Sequence, residues 1–353
     1  MREGQISAAT CWTMRRNHLS AADYMPTVTL NTGRSFVADP ALSILDAARA
    51  AGVTLEYSCR TGRCGICKAP VLSGETVLLR PEDESLSPDE AAQGLVLTCC
   101  RAATGDVTLD VEPLDRIAGL EIRTMPARIV AIERLASNIV RVTLKTPPVS
   151  PLRFLAGQYV DVIAGGVRRS YSLANAPRGD HLLELVVKRY PRGILSEYWF
   201  ERAQPNDLIR IEGPFGTFFL RDDGPTNIVF LATGTGIAPV KALLEELAAD
   251  PQRAARHRFR VFWGNRASES FCWDPAGLAL DVEFHQLLSG ADQGWSGERG
   301  YVQDAAIRHG FDLADTVVYA CGSTAMIASA KTRMIGLGLP ARCFFSDAFV
   351  SSN

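Results

Sequence analysis

Tyr57-Ser58-Cys59-Arg60-Thr61-Gly62-Arg63-Cys64-Gly65-Ile66-Cys67, followed downstream by Cys99-Cys100, is the stretch on which the fold turns. Three cysteines stand at C-x4-C-x2-C, and a fourth thiol lies well beyond them. Four thiolates at that spacing are what a 2Fe–2S cluster requires. Gly62 and Gly65 let the loop curl tightly and turn backbone N–H groups toward the sulfurs. Structural zinc more often takes two C-x2-C pairs, or cysteines with nearby histidines. Here the histidines (His18, His181, His257, His285 and His309) are scattered. A disulfide framework does not suit a chain of this length that shows no secretory signal.

Around this loop, the 353 residues leave room for two or three domains. A net charge of -2 gives no global case for nucleic acid or an anionic membrane as partner. No apolar run approaches bilayer-spanning length. Arg15-Arg16 is not followed by an apolar stretch, so a twin-arginine signal fits poorly. Residues 1–25 are expected to be a disordered extension or an over-called start, because the first clean strand pattern begins at Met25-Pro26. The cysteines fit a reducing cytoplasm.

Residues 26–112 read as a small α+β unit. Thr27–Leu30 and Ser35–Ala38 form a hairpin pattern around Asn31-Thr32-Gly33. A helix is expected from Asp39-Pro40, with Ile44, Leu45, Ala48 and Ala51 on one face and Gly52 as its stop. Short strands are expected at Ala69–Leu72, Leu95–Thr98 and Val107–Val111. Strand pairs around one helix suggest a β-grasp ferredoxin domain. Glu82-Asp83-Glu84 reads as a solvated acidic face. Residues 113–124 read as a linker, since Pro113, Asp115, Arg116 and Gly119 break any period.

Between 121 and 222 the pattern is strand after strand: Arg128–Ile132, Ile139–Lys145, Gln158–Ile163, Arg168–Ser172, Leu182–Lys188 and Leu208–Glu212. Six antiparallel strands suggest a small β-barrel, with one helix from Gly193 to Phe200. From 223 to 353 strand and helix alternate. Strands at Asn227–Ala232, Arg260–Trp263, Val282–Leu288 and Thr316–Ala320 are interleaved with helices near Ile237–Ala248, Tyr301–His309 and Ala325–Gly336. This is the rhythm of an α/β doubly wound parallel sheet.

Each of these two parts carries a candidate cofactor motif. Arg169-Ser170-Tyr171-Ser172 ends a barrel strand. An Arg can pair with a flavin pyrophosphate, a Tyr can lie against an isoalloxazine ring, and a Ser hydroxyl can reach its N5. Lys188, at the end of another barrel strand, joins these candidates. Gly193-Ile194-Leu195-Ser196 opens the barrel's helix, where free N–H groups suit a phosphate. Gly213-Pro214-Phe215-Gly216 is a turn able to approach a ligand. Gly234-Thr235-Gly236-Ile237-Ala238-Pro239 lies between a buried strand and a helix, where dinucleotides bind in such sheets. Alone it is a weak motif. Cys321-Gly322 follows another strand of the same sheet, and Cys321 reads equally as a buried structural thiol.

Together these pieces resemble the ferredoxin–NADP reductase superfamily fused to an N-terminal plant-type 2Fe–2S ferredoxin, over residues 26–353. Reductase components of bacterial mono- and dioxygenases share this layout. The closer likeness is to CDP-6-deoxy-3,4-glucoseen reductases of dideoxy-sugar biosynthesis. It is carried by Glu56-Tyr57-Ser58-Cys59, Leu97-Thr98-Cys99-Cys100, the stretch from Arg168 to Pro177, Ile211 through Phe219, Thr235 through Lys241, and the terminal Phe344-Phe345-Ser346-Asp347-Ala348-Phe349-Val350. In the ferredoxins this loop resembles, the fourth ligand stands seven residues before the Asp that opens the last strand. Asp106 stands in that relation to Cys99, so the expected metal ligands are Cys59, Cys64, Cys67 and Cys99, with Cys100 a small buried hydrophobe.

The resemblance implies an NAD(P)H-dependent electron-transfer enzyme with FAD and a 2Fe–2S cluster. Arg169, Tyr171 and Ser172 match its flavin motif, and Gly193 with Ser196 its pyrophosphate loop. Gly234, Thr235, Gly236 and Pro239 match the pyridine-nucleotide loop. Cys321 matches the cysteine beside the nicotinamide, with Gly322 next to it. Asp347 and Phe349 fall near a carboxylate and an aromatic that some relatives place by the flavin. Ser172, Cys321 and Asp347 are thus the expected catalytic residues. Thr233 departs from the pattern, since many oxygenase reductases have glycine there.

Electrons are expected to pass from NADH to FAD, to the cluster, and on to a separate protein. By resemblance that acceptor is a pyridoxamine-phosphate-dependent 3-dehydrase acting on a CDP-sugar. An oxygenase component is the alternative, and a non-catalytic redox sensor or carrier is a reading of another class. Arg60 and Arg63 flank the cysteines and are candidates to steer an acidic partner. NADH is favoured over NADPH by Glu269, although Arg266 could accommodate a 2′-phosphate.

Overall fold

The computed structural model describes residues 24–82, 85–221, 224–290 and 293–350. Residues 1–23 of the expected N-terminal extension lie outside them, as do Asp83 and Glu84 of the acidic run. Tyr24, which is described, donates to Asp106 Oδ1 at 2.9 Å.

The first part is a five-stranded sheet in the order Ser35–Val37, Thr27–Leu30, Val107–Leu109, Lys68–Ser73, Leu95–Leu97. Thr27–Leu30 runs parallel to Val107–Leu109, and its other neighbour is antiparallel. That pairing of first and last strands, with helix Ile44–Ala50 laid against them, is the β-grasp arrangement expected from the sequence. The helix starts later than the sequence suggests. Asp39 spends its side chain on Ala41 N (2.8 Å), closing a local turn. Ser43, with extended backbone, then caps Asp46 N at 3.1 Å. Asp106 accepts from Thr27 N at 2.8 Å and so ties the start of the first strand to the start of the last.

Smaller elements escape a periodicity reading because they are too short to show a period. Thr76–Leu78 pairs with Arg101–Ala103. Pro88–Ala92 is a single helical turn, although its reciprocal capping box, Ser87 with Glu90, is written in the sequence.

The second part is a six-stranded antiparallel sheet in the order Val167–Ser172, Tyr159–Ala164, Leu208–Phe215, Arg123–Ala136, Ile139–Lys145, Leu182–Lys188. It curls until Leu173 bridges Leu185 across the gap. Inward-facing Ile129, Val142, Leu144, Val160, Val162, Leu185 and Ile211 fill the interior, and Trp199 of helix Ile194–Glu201 closes one side. The strand Arg123–Ala136 begins inside the stretch that composition marks as linker. Register shifts between Ile129 and Ala131, and again between Arg134 and Ala136, let this long strand bend around the barrel.

The third part is a fully parallel sheet in the order Glu298–Arg299, Val282–Leu288, Arg258–Asn265, Asn227–Thr233, Thr316–Ser323, Phe344–Phe349. The connection reverses direction between Asn227–Thr233 and Thr316–Ser323. The crevice beyond the carboxyl ends of those two strands is where such sheets take ligands. Two of its six strands, Glu298–Arg299 and Phe344–Phe349, are unanticipated, and the latter positions Asp347. No helix among the described residues is long and apolar enough to cross a membrane.

Candidate active site

The cysteine loop brings four thiols together in two pairs. Cys59 and Cys64 are hydrogen-bonded to each other, and Cys67 Sγ lies 3.3 Å from Cys99 Sγ. Within each pair a shared proton pulls one thiol down, Cys59 to about 5 and Cys99 to about 7, and pushes its partner up. Backbone N–H groups of Thr61 and Arg63 face Cys59, that of Ile66 faces Cys64 and that of Gly62 faces Cys99. Two thiol pairs ringed by N–H donors fit a two-iron cluster, with each pair suited to one iron. Cys100 is a fifth thiol at the edge of this group, its Sγ 3.5 Å from Cys99 Sγ. It is fully buried, packed against Gly62, and burial, with Cys99 beside it, pushes its thiol up to about 12. Gly62 has φ +79°, and a Cβ there would sit 2.7 Å from Cys100 Sγ and 2.8 Å from Pro81 O.

In the barrel, Arg169 and Tyr171 alternate onto one face of the edge strand Val167–Ser172. Trp199 Nε1 donates to the Tyr171 hydroxyl at 3.3 Å, which joins this motif to helix Ile194–Glu201. That helix has no side-chain cap at its N-terminus. Ser196 Oγ donates to Gly193 O (2.9 Å) and accepts from Tyr190 N (3.2 Å), shaping the loop before the helix. A Cβ on Gly193 would lie 2.4 Å from that hydroxyl. An uncapped helix joined through Trp199 to the strand that carries an arginine and a half-buried tyrosine fits a flavin with its pyrophosphate. Lys188 is half-buried on the strand face that also carries Glu184.

In the parallel sheet, Gly234 (φ +56°), Thr235 and Gly236 form a single 3-10 turn after Thr233, and helix Ile237–Ala248 follows, again without a side-chain cap. Gly234 has open space on its Cβ side, whereas a Cβ on Gly236 would meet Cys321 O at 2.3 Å. Trp263 Nε1 donates to Gly234 O at 2.8 Å and fixes the turn. Pro239 is buried in the first turn of the helix. Thr233 does not close the loop. Its Oγ1 accepts from Ser323 N at 3.0 Å and ties the two crevice-lining strands together, which leaves only glycine room at Gly322. The crevice therefore fits a nucleotide at the sheet's switch point.

The three parts meet at one carboxylate. Asp347 is 4% exposed and pairs in register with Cys321. Its Oδ1 accepts from Ser58 Oγ at 2.6 Å, and its Oδ2 accepts from Ser172 Oγ at 3.5 Å. Burial raises its carboxyl to about 6 against the pull of both hydroxyls. Burial, with Asp347 beside it, also drives the Cys321 thiol well up, so this sulfur stays protonated and does not act as a nucleophile. Ser58 is a contact that sequence reasoning missed; nothing but its place next to Cys59 marks it. Phe349 ends the same strand, 37% exposed, opposite Ser323.

Comparison with known proteins follows the same three parts. A family model for a 2Fe-2S iron-sulfur cluster binding domain matches residues 28–104, one for an oxidoreductase FAD-binding domain matches 126–220, and one for an oxidoreductase NAD-binding domain matches 230–332. The chain is 40% identical to the CDP-6-deoxy-L-threo-D-glycero-4-hexulose-3-dehydrase reductase of Yersinia pestis, over 91% of this chain and 97% of that protein. The chain belongs to the ferredoxin–NADP reductase superfamily. It is an NAD(P)H oxidoreductase of that superfamily with an N-terminal 2Fe–2S ferredoxin domain. Reductase component 1 of Comamonas sp terephthalate 1,2-dioxygenase is 30% identical over 90% of this chain and 95% of its own length. The crystal structure of the Amycolatopsis cytochrome P450 reductase GcoB superposes with a TM-score of 0.72 at 28% identity, covering 93% of this chain and all of that one.

Two residues of this reductase play parts other than those expected. Arg60 is not a steering charge. Its guanidinium pairs with buried Asp161 at 2.9 Å and lies 3.8 Å from the Phe215 ring centroid, so it fastens the ferredoxin domain to the barrel. Glu82 is not a solvated acid, since it holds Arg101 Nε at 2.7 Å. The Gly213–Gly216 turn serves the same junction as Arg60. Beside it, Thr217 Oγ1 accepts from Tyr57 N (3.0 Å) and donates to Tyr57 O (2.9 Å). Tyr159 OH donates to Ser58 O at 2.7 Å.

Proposed function

We propose that this reductase passes electrons from NADH, by way of FAD and a 2Fe–2S cluster, to a CDP-6-deoxy-hexulose 3-dehydrase. The observation that supports the path most is the single carboxylate of Asp347, within hydrogen-bonding reach of Ser58 beside Cys59 and of Ser172 in the flavin motif, and in register with Cys321. Bound FAD supplies the exchange between two-electron hydride chemistry and the one-electron chemistry of the cluster.

In this reading Cys59, Cys64, Cys67 and Cys99 hold the cluster. Arg169, Tyr171, Ser172, Lys188, Gly193 and Ser196 hold the flavin. Gly234, Thr235, Gly236, Pro239 and Gly322 hold the pyridine nucleotide. Cys321 and Ser172 orient the nicotinamide against the flavin and exclude water. Asp347 fixes the Ser58 and Ser172 hydroxyls, and Phe349 covers the open side of the pocket. NADH is the donor in this reading because an exposed acidic residue, Glu269, follows the exposed Arg266 in sequence after the strand Arg258–Asn265; its carboxylate accepts from Ser137 Oγ at 3.2 Å.

The acceptor approaches where Cys64, Gly65 and Ile66 line a cleft of about 2040 Å³ between the ferredoxin domain and helix Thr324–Gly336. The dehydrase is preferred over an oxygenase component because its reductase from Yersinia pestis is the more similar, at 40% against 30% identity. A cytoplasmic location suits this reading, because cluster-ligating thiols are kept reduced in such a compartment.

The test is an anaerobic titration with NADH, followed by visible absorbance and EPR, then addition of a purified 3-dehydrase with its CDP-sugar. Flavin bleaching, a reduced-cluster signal, and reoxidation by the loaded dehydrase are the expected sequence. Flavin bleaching with a silent cluster removes the cluster step. Reoxidation by an oxygenase component but not by the dehydrase reassigns the acceptor.

A further inference from the structure

The sheet edge opposite Phe344–Phe349 gathers ligand-type side chains that the electron path does not use. Glu283 and His285 lie on strand Val282–Leu288, Glu298 on Glu298–Arg299, and His309 ends helix Val302–His309. The two imidazole centroids are 4.1 Å apart. His285 is stacked on buried Phe262 at 4.6 Å and 8°, which fixes the plane of its ring.

Glu298 Oε1 lies 2.9 Å from His285 Nδ1 and 3.2 Å from His309 Nε2. A carboxylate only accepts, so both of those ring nitrogens carry hydrogen. The other two nitrogens are turned to Glu283, whose Oε1 is 2.9 Å from His285 Nε2 and 3.9 Å from His309 Nδ1. One ligand atom from each of Glu283, His285 and His309 lies within 4.8 Å of the others. Both carboxylates are anchored from outside, Glu283 by Arg260 Nε at 2.7 Å and Glu298 by an Arg308 guanidinium nitrogen at 2.8 Å.

We propose that Glu283, His285 and His309 form a binding site for zinc or a similar borderline divalent cation, with Glu298 as the outer carboxylate that fixes both imidazole tautomers. Two imidazole nitrogens and one carboxylate oxygen, completed by water, are a donor set such cations take. An outer carboxylate on the far nitrogen of each ring is the support that metal-bound histidines usually have. The cation replaces the proton now shared between Glu283 and the rings, and that proton leaves to solvent. Glu283 and His285 stand early on their strand, away from its carboxyl end where the nucleotide crevice opens. The ion therefore clips an edge strand to the end of a helix and takes no part in electron transfer.

The test uses holoprotein with FAD and the 2Fe–2S cluster loaded, so that the cysteines are already occupied. It is dialysed against micromolar zinc chloride, and its zinc and iron are measured. Wild type is expected to retain one zinc per chain with its iron unchanged, and its unfolding temperature should rise with zinc. The His285→Gln/His309→Gln double variant should bind zinc ~100-fold more weakly, and Glu298→Gln ~10-fold more weakly. NADH-driven ferricyanide reduction should be unchanged in all of them, which reports intact folding. If the double variant does not fold, Glu283→Gln, at an exposed position, carries the same expectation. No retained zinc in wild type, equal retention in the variants, or zinc taken up only as iron is lost would each overturn the proposal.

Discussion

The Ser58 hydroxyl donates to Asp347 at 2.6 Å, linking the residue before Cys59 to the strand beside Cys321. The carboxyl is raised to about 6, so it is ionised at neutral pH and accepts from both Ser58 and Ser172. Below about pH 6 it protonates and loses one of those roles. NADH-dependent flavin reduction should therefore fall through an apparent transition near pH 6 that is absent in Asp347→Asn.

Stability should respond in the opposite sense. The folded pKa lies above the unfolded value, so this group favours the fold at acid pH, and that contribution is lost as pH rises through about 6. In a buried setting the difference is about 3 kcal/mol. Thermal unfolding at pH 8 should show Asp347→Asn more stable than wild type, with a smaller gap at pH 5. Equal gaps at both pH values would show that Asp347 does not titrate in this range.

Cys321 makes a sharper case for positioning. It is fully buried and its thiol stays neutral, so replacing it removes a shape and not a charge. Cys321→Ala should slow flavin reduction in stopped flow by about 10- to 100-fold, as a small misplacement of the reacting atoms does. Flavin absorbance and cluster content should be intact. An unchanged rate would take Cys321 out of the site.

The adjacent cysteines predict a clean divergence. Cys99 Sγ lies 3.3 Å from Cys67 Sγ, while Cys100 touches only Cys99 among the described thiols, at 3.5 Å, and packs on Gly62. Cys99→Ser should lose the reduced-cluster EPR signal. Cys100→Ala should keep it, at about 1–2 kcal/mol of stability from the small cavity left behind. Gly62→Ala should behave like Cys99→Ser, because its Cβ meets Cys100 and Pro81 at positive φ. Iron content per chain decides all three.

The sequence carried the stations of this path and little of what joins them. C-x4-C-x2-C, the Arg169–Ser172 motif and the Gly234–Gly236 turn are local, and local spacing reports local chemistry. The junctions are not. Ser58 with Asp347, Arg60 with Asp161 and Thr217 with Tyr57 are separated by 289, 101 and 160 residues. An arginine beside a cluster reads as surface charge until the fold supplies an aspartate. Thr233 reads as a missing glycine for the same reason, since its acceptor role depends on Ser323, which is 90 residues away. The short Pro88–Ala92 turn was missed for a different reason, since its Ser87–Glu90 capping box is local and needs no tertiary information.

Arg60 yields a prediction that separates an internal role from an external one. Asp161 is 2% exposed at its side chain and keeps Arg168 Nη1 at 3.1 Å and Ser170 Oγ at 2.6 Å when Arg60 is removed. Arg60→Ala should therefore cost about 1–3 kcal/mol, less than stranding a buried charge entirely. It also uncovers the Phe215 ring on which the guanidinium rests. With the ferredoxin domain held less firmly on the barrel, cluster reduction should slow about tenfold or more while flavin reduction by NADH does not change. The ionic-strength dependence of acceptor reduction should stay as in wild type, because the charge removed does not face a partner. If cluster reduction is unaffected and kcat/KM for the acceptor falls with a flatter salt dependence, Arg60 acts outward and the junction is held by Thr217 and Tyr159 alone.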